Sequence, residues 1–333
     1  SRGLGDVYKR QPAPWGPGPG SASPAGRYRQ PGCPFSPPPP PAFPGAVEEA
    51  EVRRLVLELA YGKFMTYARL RELLGLPYEA KVEVAHGIVE EALRAARALF
   101  GEARPAVAFS GGKSSLAALD VVAQHVPPGE LLAYYIDTGN EYPGNAEYVR
   151  EVAARLGVRL VVVRPRVSPW AVWRAFGFPK PSRDRYYTPA CCAVLKELPA
   201  AYVIERYGVN VDFTGIQASE ALHRLRSLAD YGLVRRTDYV GREARLRRAI
   251  VRAAPVGIWT DADVWRYVRE RGLPANPVYA KFGVDRQGCV VCTNHLNWRE
   301  RLERYRPELA RYVEERMREW GVQEARLRLG EML

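Results

Sequence analysis

Ala106-Val107-Ala108-Phe109-Ser110-Gly111-Gly112-Lys113-Ser114-Ser115 is the stretch on which the reading of this chain turns. A short apolar run, Ala106 to Phe109, passes through two glycines into an amphipathic segment from about Ser114 to His125, which predicts strand, tight loop and helix. Glycines let a backbone approach an anion closely, the unpaired amides of a helix start point at it, and Lys113 brings a full positive charge. Ser110, Ser114 and Ser115 add hydroxyl donors. The spacing is not that of a Walker loop, since Val107 and Ala108 stand where its leading glycine is sought, nor is it the spaced-glycine dinucleotide fingerprint. A tight strand-to-helix turn alone accounts for the glycines, whereas phosphate binding also accounts for the lysine and the three serines.

Outward from this loop the pattern repeats. Apolar runs at Ala106 to Phe109, Leu131 to Ile136, Leu160 to Val163 and Val211 to Ile216 alternate with helical stretches at about Ser114 to His125, Asn145 to Leu156 and Ala193 to Tyr207. Such alternation predicts an α/β fold, a parallel sheet with helices on both faces, whose ligands sit at the carboxyl edge of the strands. A further strand is expected at Ala249 to Ala254, and a helix opening at Thr260 with Asp263 in capping-box position. Four regions follow. Residues 1–44, rich in Pro, Gly and Ser, are expected to be disordered, and Ser1 to Gln11 resembles translated adapter sequence. Residues 45–100 carry apolar positions at helical spacing, such as Leu70, Leu73 and Leu74, then Val89 and Leu93, and form a helical extension. Residues 101–296 form the nucleotide-binding domain, and residues 297–333 read as C-terminal helices. No internal repeat is visible.

The chain has 333 residues, 47% of them hydrophobic, and a formal charge of +12 carried mostly by arginine. This field suits anionic partners such as nucleotides or nucleic acid, or else reflects arginine-rich solvated faces. No run of about eighteen apolar residues is present, and no basic segment leads into an apolar one at the start. A cytoplasmic protein without a membrane partner is expected. Of five cysteines, four form two tight pairs, Cys191-Cys192 and Cys289-x-x-Cys292, which suggests metal ligation before a disulfide framework. Four thiolates hold either a four-iron cluster or a zinc ion. Adjacent cysteines are awkward around one tetrahedral ion but can serve different irons.

Ser110 to Ser115 resembles the pyrophosphate loop of the adenine-nucleotide alpha-hydrolase superfamily, which includes ATP pyrophosphatases and phosphoadenylyl-sulfate (PAPS) reductases. The likeness continues in Asp137-Thr138-Gly139 with Glu141 and Pro143. It recurs in Thr214-Gly215-Ile216 with Ser219, Glu220 and Arg224, and in Pro255 through Trp259, Thr260, Asp263, Val264 and Trp265. It covers about residues 100 to 296. The resemblance implies that Ser110, Gly111, Gly112, Lys113, Ser114 and Ser115 hold phosphates and that Asp137, Thr138, Gly139, Gly215 and Ile216 border the adenosine. Lys113 and Arg224 would stabilise charge during catalysis. A Cys-Cys pair followed about a hundred residues later by CxxC is similar to the cluster signature of assimilatory adenylyl-sulfate reductases. This implies a 4Fe-4S cluster on Cys191, Cys192, Cys289 and Cys292, with zinc as the alternative and Lys196 close by.

The chain departs from the reductase pattern at three points. No cysteine follows Cys292 to match the reductases' Glu-Cys-Gly-x-His nucleophile, Gln217 stands where an arginine is expected, and Ala221 where a serine is expected. The two-glycine, lysine-bearing loop is closer to the ATP-cleaving members. The expectation is therefore an enzyme that cleaves ATP, bound with Mg2+, to AMP and pyrophosphate, activating an acceptor such as tRNA or another nucleic acid for sulfur transfer. The arginines at 235, 236, 242, 245, 247, 248 and 252 would clamp such an acceptor, or form a solvated loop. Two alternatives remain: a PAPS or adenylyl-sulfate reductase borrowing a thiol or electron-donor partner, and a non-catalytic iron–sulfur nucleic-acid-binding or regulatory module.

Overall fold

The computed structural model of the chain describes residues 67–127, 129–180 and 188–323. The expected disordered segment 1–44, the first part of the helical extension and the chain beyond 323 lie outside the described residues. In order, the elements are α1 (Tyr67–Leu74), α2 (Tyr78–Phe100), β1 (Pro105–Ala108), α3 (Lys113–Ala123), β2 (Leu132–Ile136), α4 (Asn145–Arg155) and β3 (Arg159–Val163). Then come α5 (Pro169–Phe176), β4 (Phe178–Pro179), α6 (Ala190–Cys192), a π-helical turn (Ala193–Glu197), α7 (Leu198–Arg206), β5 (Val211–Thr214) and α8 (Leu222–Tyr231). The chain continues through β6 (Val234–Val240), β7 (Ala244–Ala253), α9 (Asp261–Glu270), α10 (Val278–Phe282), α11 (Trp298–Tyr305), α12 (Pro307–Trp320) and β8 (Val322–Gln323).

The main sheet has the order β3-β2-β1-β5-β7-β6, parallel throughout except for the antiparallel β6–β7 pair at one edge. Strand alternation distributes the core over both faces. Val107, Phe109, Ala133, Tyr135, Val211 and Phe213 pack with α2, α3, α4 and α9 on one side. Ala106, Leu132 and Tyr134 pack with α7 and the β6–β7 hairpin on the other. The expected α/β architecture is therefore present, with helices around a mostly parallel sheet and helical regions at both ends. No helix among the described residues is long and apolar enough to cross a membrane.

Several details differ from the sequence reading. The arginine-rich stretch is a hairpin rather than a loop: Ala244, Leu246 and Ile250 are buried in β7 while Arg245, Arg247 and Arg248 face solvent. The expected strand at Ala249 to Ala254 therefore begins earlier, at Ala244. The single helix expected at Ala193 to Tyr207 widens into a π turn before α7. Pro199, in the first turn of α7, has no N–H to return to the carbonyl of Leu195. The C-terminal helices expected from Trp298 onward part at Arg306, which is extended (φ −163°, ψ 98°) because the Pro307 ring disfavours helical backbone in the preceding residue. Beyond it, β8 pairs with β4, and Trp320 stacks on Phe178 at 5.9 Å between ring centroids, fastening the C-terminal helices to α5.

Candidate functional site

Loop 110–115 lies between the end of β1 and the start of α3, as expected. Gly111 has φ +83°, a left-handed conformation open to glycine, and a Cβ there would come within 2.3 Å of Asn145 Oδ1. Asn145 Nδ2 donates to the Ser110 carbonyl (3.1 Å) and to Tyr135 Oη (3.1 Å), while Asn276 Nδ2 donates to the Gly111 carbonyl (2.8 Å) and to Asn145 Oδ1 (2.8 Å). Two buried asparagines thus pull the loop carbonyls backward. Each peptide being planar and trans, the N–H groups of Gly111 and Gly112 turn the opposite way, as an anion cradle requires.

Gly112 at the N-cap offers no side-chain acceptor to the first-turn amides of α3. Lys113 N donates to Tyr279 Oη at 2.8 Å. The Lys113 side chain is 3% exposed; its ammonium donates to the Asp285 carbonyl (2.8 Å) and faces Asp261 Oδ2 (3.4 Å). Ser115 Oγ donates to the Gly112 carbonyl (2.9 Å) and lies 3.2 Å from Ser110 Oγ. Ser114 Oγ donates to Gln217 Oε1.

From β5, Gly215 lies directly against this helix start, and a Cβ there would sit 2.6 Å from Ser115 N and 2.7 Å from Ser114 C. Gln217 is fully buried and its Nε2 donates to the Trp259 carbonyl (3.1 Å), which Ser219 Oγ also reaches (2.9 Å). Trp259 precedes the Thr260–Asp263 capping box that opens α9, which is present as expected. Loop 110–115, residues 215–217 and Trp259 therefore form one connected support.

Asp137 follows β2 at the same sheet edge. Its Oδ2 accepts from Arg164 Nε (2.7 Å) and its Oδ1 from Gly139 N (3.3 Å), with Gly139 at φ +74°. Thr138 Oγ1 donates to Glu141 Oε1 at 2.6 Å. Arg224 lies in α8 and pairs with Glu220, whose other oxygen is 4.0 Å from Arg286. Arg286, which sequence reasoning passed over, joins the two regions. Burial holds its guanidinium below the usual arginine range, with Cys292, Asp285 and Asp261 among its charged neighbours.

The four cysteines of the two pairs are free, half-buried thiols. Cys191 and Cys192 open a helix after Pro189, as expected, and Cys289 to Cys292 form a loop. The hydrogen bond with Cys191, and burial next, push the Cys192 thiol up; burial followed by Cys289 and Cys192 pushes Cys292 up to about 11. Between the pairs lies Lys196 of the π turn, hydrogen-bonded to Cys289, its ammonium stabilised by Cys289 foremost and by Cys192 and Cys292. Cys192 of the first pair and both cysteines of the second therefore face one half-buried cation. No group of three or more His, Cys, Asp or Glu side chains among the described residues is disposed to hold a single metal ion.

The sequence reading missed Asn145, Asn276 and Tyr279, which shape the loop from behind. Asn145 opens α4 and is the only one of the three with a regional signal, a polar residue at a helix start beside the Asp137–Glu141 segment.

The family described as Phosphoadenosine phosphosulfate reductase domain matches this chain over residues 104–295. Among similar proteins, adenosine 5'-phosphosulfate reductase of Geobacillus kaustophilus is 26% identical over 187 residues, covering 56% of this chain and 71% of that protein. Adenosine 5'-phosphosulfate reductase of Chelativorans sp. is 27% identical over 248 residues, covering 74% and 82%. A crystal structure of PAPS reductase from Candida auris, in a phosphate complex, aligns with a TM-score of 0.41 at 20% identity, over 73% of this chain and 96% of that one.

Proposed function

Because this chain belongs to the phosphoadenosine phosphosulfate reductase domain family, we propose that it is an enzyme of sulfur metabolism that binds ATP at Ser110–Ser115 and cleaves it to AMP and pyrophosphate, activating an acceptor for sulfur transfer. The observation that carries ATP over a sulfonucleotide is Gln217. At the position where the reductase pattern expects an arginine, a neutral amide is fully buried and committed to Ser114 and Trp259. It adds no charge for a sulfate.

In this reading an acceptor oxygen attacks the α-phosphorus, the α–β bridging P–O bond breaks and pyrophosphate leaves with the electron pair; a sulfide-level sulfur nucleophile then attacks the activated acceptor carbon, and AMP leaves carrying the acceptor oxygen. The backward-held carbonyls of Ser110 and Gly111 leave the Gly111 and Gly112 amides preorganised for the departing oxygens, and Lys113 supplies charge there. ATP arrives with Mg2+. Arg224 and Arg286, sharing Glu220, are the further cations proposed to cover phosphate charge. Asp137, Thr138, Gly139, Gly215 and Ile216 border the adenosine.

Cys191, Cys192, Cys289 and Cys292 are the proposed ligands of a 4Fe-4S cluster, zinc being the alternative. None of the four thiols is in a disulfide, and Cys192, Cys289 and Cys292 face the half-buried Lys196 ammonium, which supports an anionic metal–thiolate centre there. When bound, the cluster supplies iron for holding sulfur, or braces the two segments. For the acceptor we propose nucleic acid. The β6–β7 hairpin carries seven arginines, of which Arg245 pairs with Asp238, Arg247 with Glu205 and Arg252 with the buried Asp212, and Arg236, Arg245, Arg247 and Arg248 line, with Asp238, an open groove of about 740 Å3.

A second reading, reduction of adenylyl sulfate or PAPS with a partner thiol, is favoured by the names of the relatives. Product analysis separates the two. Under anaerobic conditions the first predicts AMP and pyrophosphate in equal amounts from ATP, and no sulfite from adenylyl sulfate with a thiol donor. Sulfite without ATP cleavage would replace the first reading by the second, and nucleotide binding without either product would leave a non-catalytic module.

A further inference from the structure

The two halves of the site meet at one side chain, and we propose that Asn140 is a positioning residue through which nucleotide bound at Asp137–Gly139 sets the placement of Cys289 and Cys292. The inference rests on the nucleotide-binding reading above.

Asn140 is 9% exposed. Its carbonyl accepts from Val290 N (2.7 Å), its Nδ2 donates to the Val291 carbonyl (2.8 Å), and its Oδ1 accepts from Val291 N (3.0 Å). Val290 and Val291 are the two residues between the cysteines, so one asparagine grips the interior of the CxxC loop by three hydrogen bonds. In the other direction, Asn140 N donates to Thr138 Oγ1 (3.2 Å) and Glu141 Oε2 (3.1 Å), and Thr138 Oγ1 itself donates to Glu141. Segment 137–141 is thereby a braced hook. Val291 is 5% exposed and packs with Trp173, Phe178 and Leu302, which removes free play from the cysteine loop.

A displacement of the hook when nucleotide docks at residues 137–139 is consequently passed to residues 290–291, and from there to the flanking thiols. An amide side chain suits this linkage because it offers a donor to the carbonyl and an acceptor to the N–H of the same residue. Aspartate keeps the acceptor but sets an oxygen against the Val291 carbonyl, and alanine keeps neither.

Hydrogen–deuterium exchange of the full chain, followed by mass spectrometry on fragments covering 110–123 and 286–297, tests this with α,β-methylene ATP as the probe. In the unmodified protein the nucleotide slows exchange in both fragments. In Asn140→Ala, exchange in 286–297 is about tenfold faster without nucleotide, the equivalent of one net buried hydrogen bond. Nucleotide still slows 110–123 but no longer slows 286–297. Asn140→Asp serves as the conservative variant and gives the same loss of response. A purely structural asparagine gives faster exchange with the nucleotide response of 286–297 retained, and that result overturns the proposal. So does slowing confined to 110–123 in the unmodified protein. Absence of slowing at 110–123 removes the nucleotide-binding reading itself, and the inference with it.

Discussion

Lys113→Met lowers kcat/KM for pyrophosphate release from ATP by about 100- to 1,000-fold while the protein stays folded, the range seen when one preorganised charge-stabilising group is removed. Methionine retains the buried alkyl stem of a side chain that is 3% exposed. The folding cost is that of the lost bond to the Asp285 carbonyl and the lost pairing with the largely exposed Asp261, about 2 kcal/mol. The function of the charge is therefore separable from its packing. Steady-state kinetics together with a thermal melt decide the matter. A variant that melts several degrees lower but turns over normally would assign Lys113 to structure, holding the Asp285 loop against α3.

Gly215→Ala is the second substitution with a large expected effect, and it works through the backbone. The added methyl carbon would lie 2.6 to 2.7 Å from three main-chain atoms of Ser114 and Ser115. Backbone at a helix start cannot swing aside as a side chain does, so α3 and its loop must move. We expect a destabilisation of about 3 kcal/mol, at the upper end for overpacking a filled site, together with loss of nucleotide binding. Gly139→Ala is the control. Its φ is +74° but nothing lies within 4 Å of the new carbon, so it incurs only left-handed backbone strain of about 1 kcal/mol. Equal melting temperatures for the two variants would contradict the close packing of β5 on α3.

What could be read in the sequence, and what could not, follows from the range of the interactions involved. The strand, loop and helix around Gly111-Gly112-Lys113 were legible because the residues that make the turn are adjacent in the chain. The same holds for the Thr260–Asp263 capping box and for Cys191 and Cys192 at a helix start after Pro189. The β6–β7 hairpin was visible in principle, since Arg245-Leu246-Arg247 alternates at strand period, but the arginine density masked the pattern. Asn276 and Tyr279 carry no local signature, and Asn145 only that of a polar residue at a helix start. Each is one polar residue whose partner, the phosphate loop, is more than thirty residues away in sequence. Gln217 was legible as a departure from the reductase pattern, yet its commitment to Ser114 and Trp259 emerges only once β5, α3 and α9 are assembled. Asn140 likewise reads as an ordinary turn residue until Val290 and Val291 are brought to it.

Anaerobic calorimetric titration of the metal-loaded protein with α,β-methylene ATP, adenylyl sulfate and PAPS tests the ATP-binding reading most directly. The expected result is tighter binding of the ATP analogue than of either sulfonucleotide, with affinity lost in Lys113→Met. Tighter binding of adenylyl sulfate or PAPS would contradict that reading and assign the loop to a sulfonucleotide.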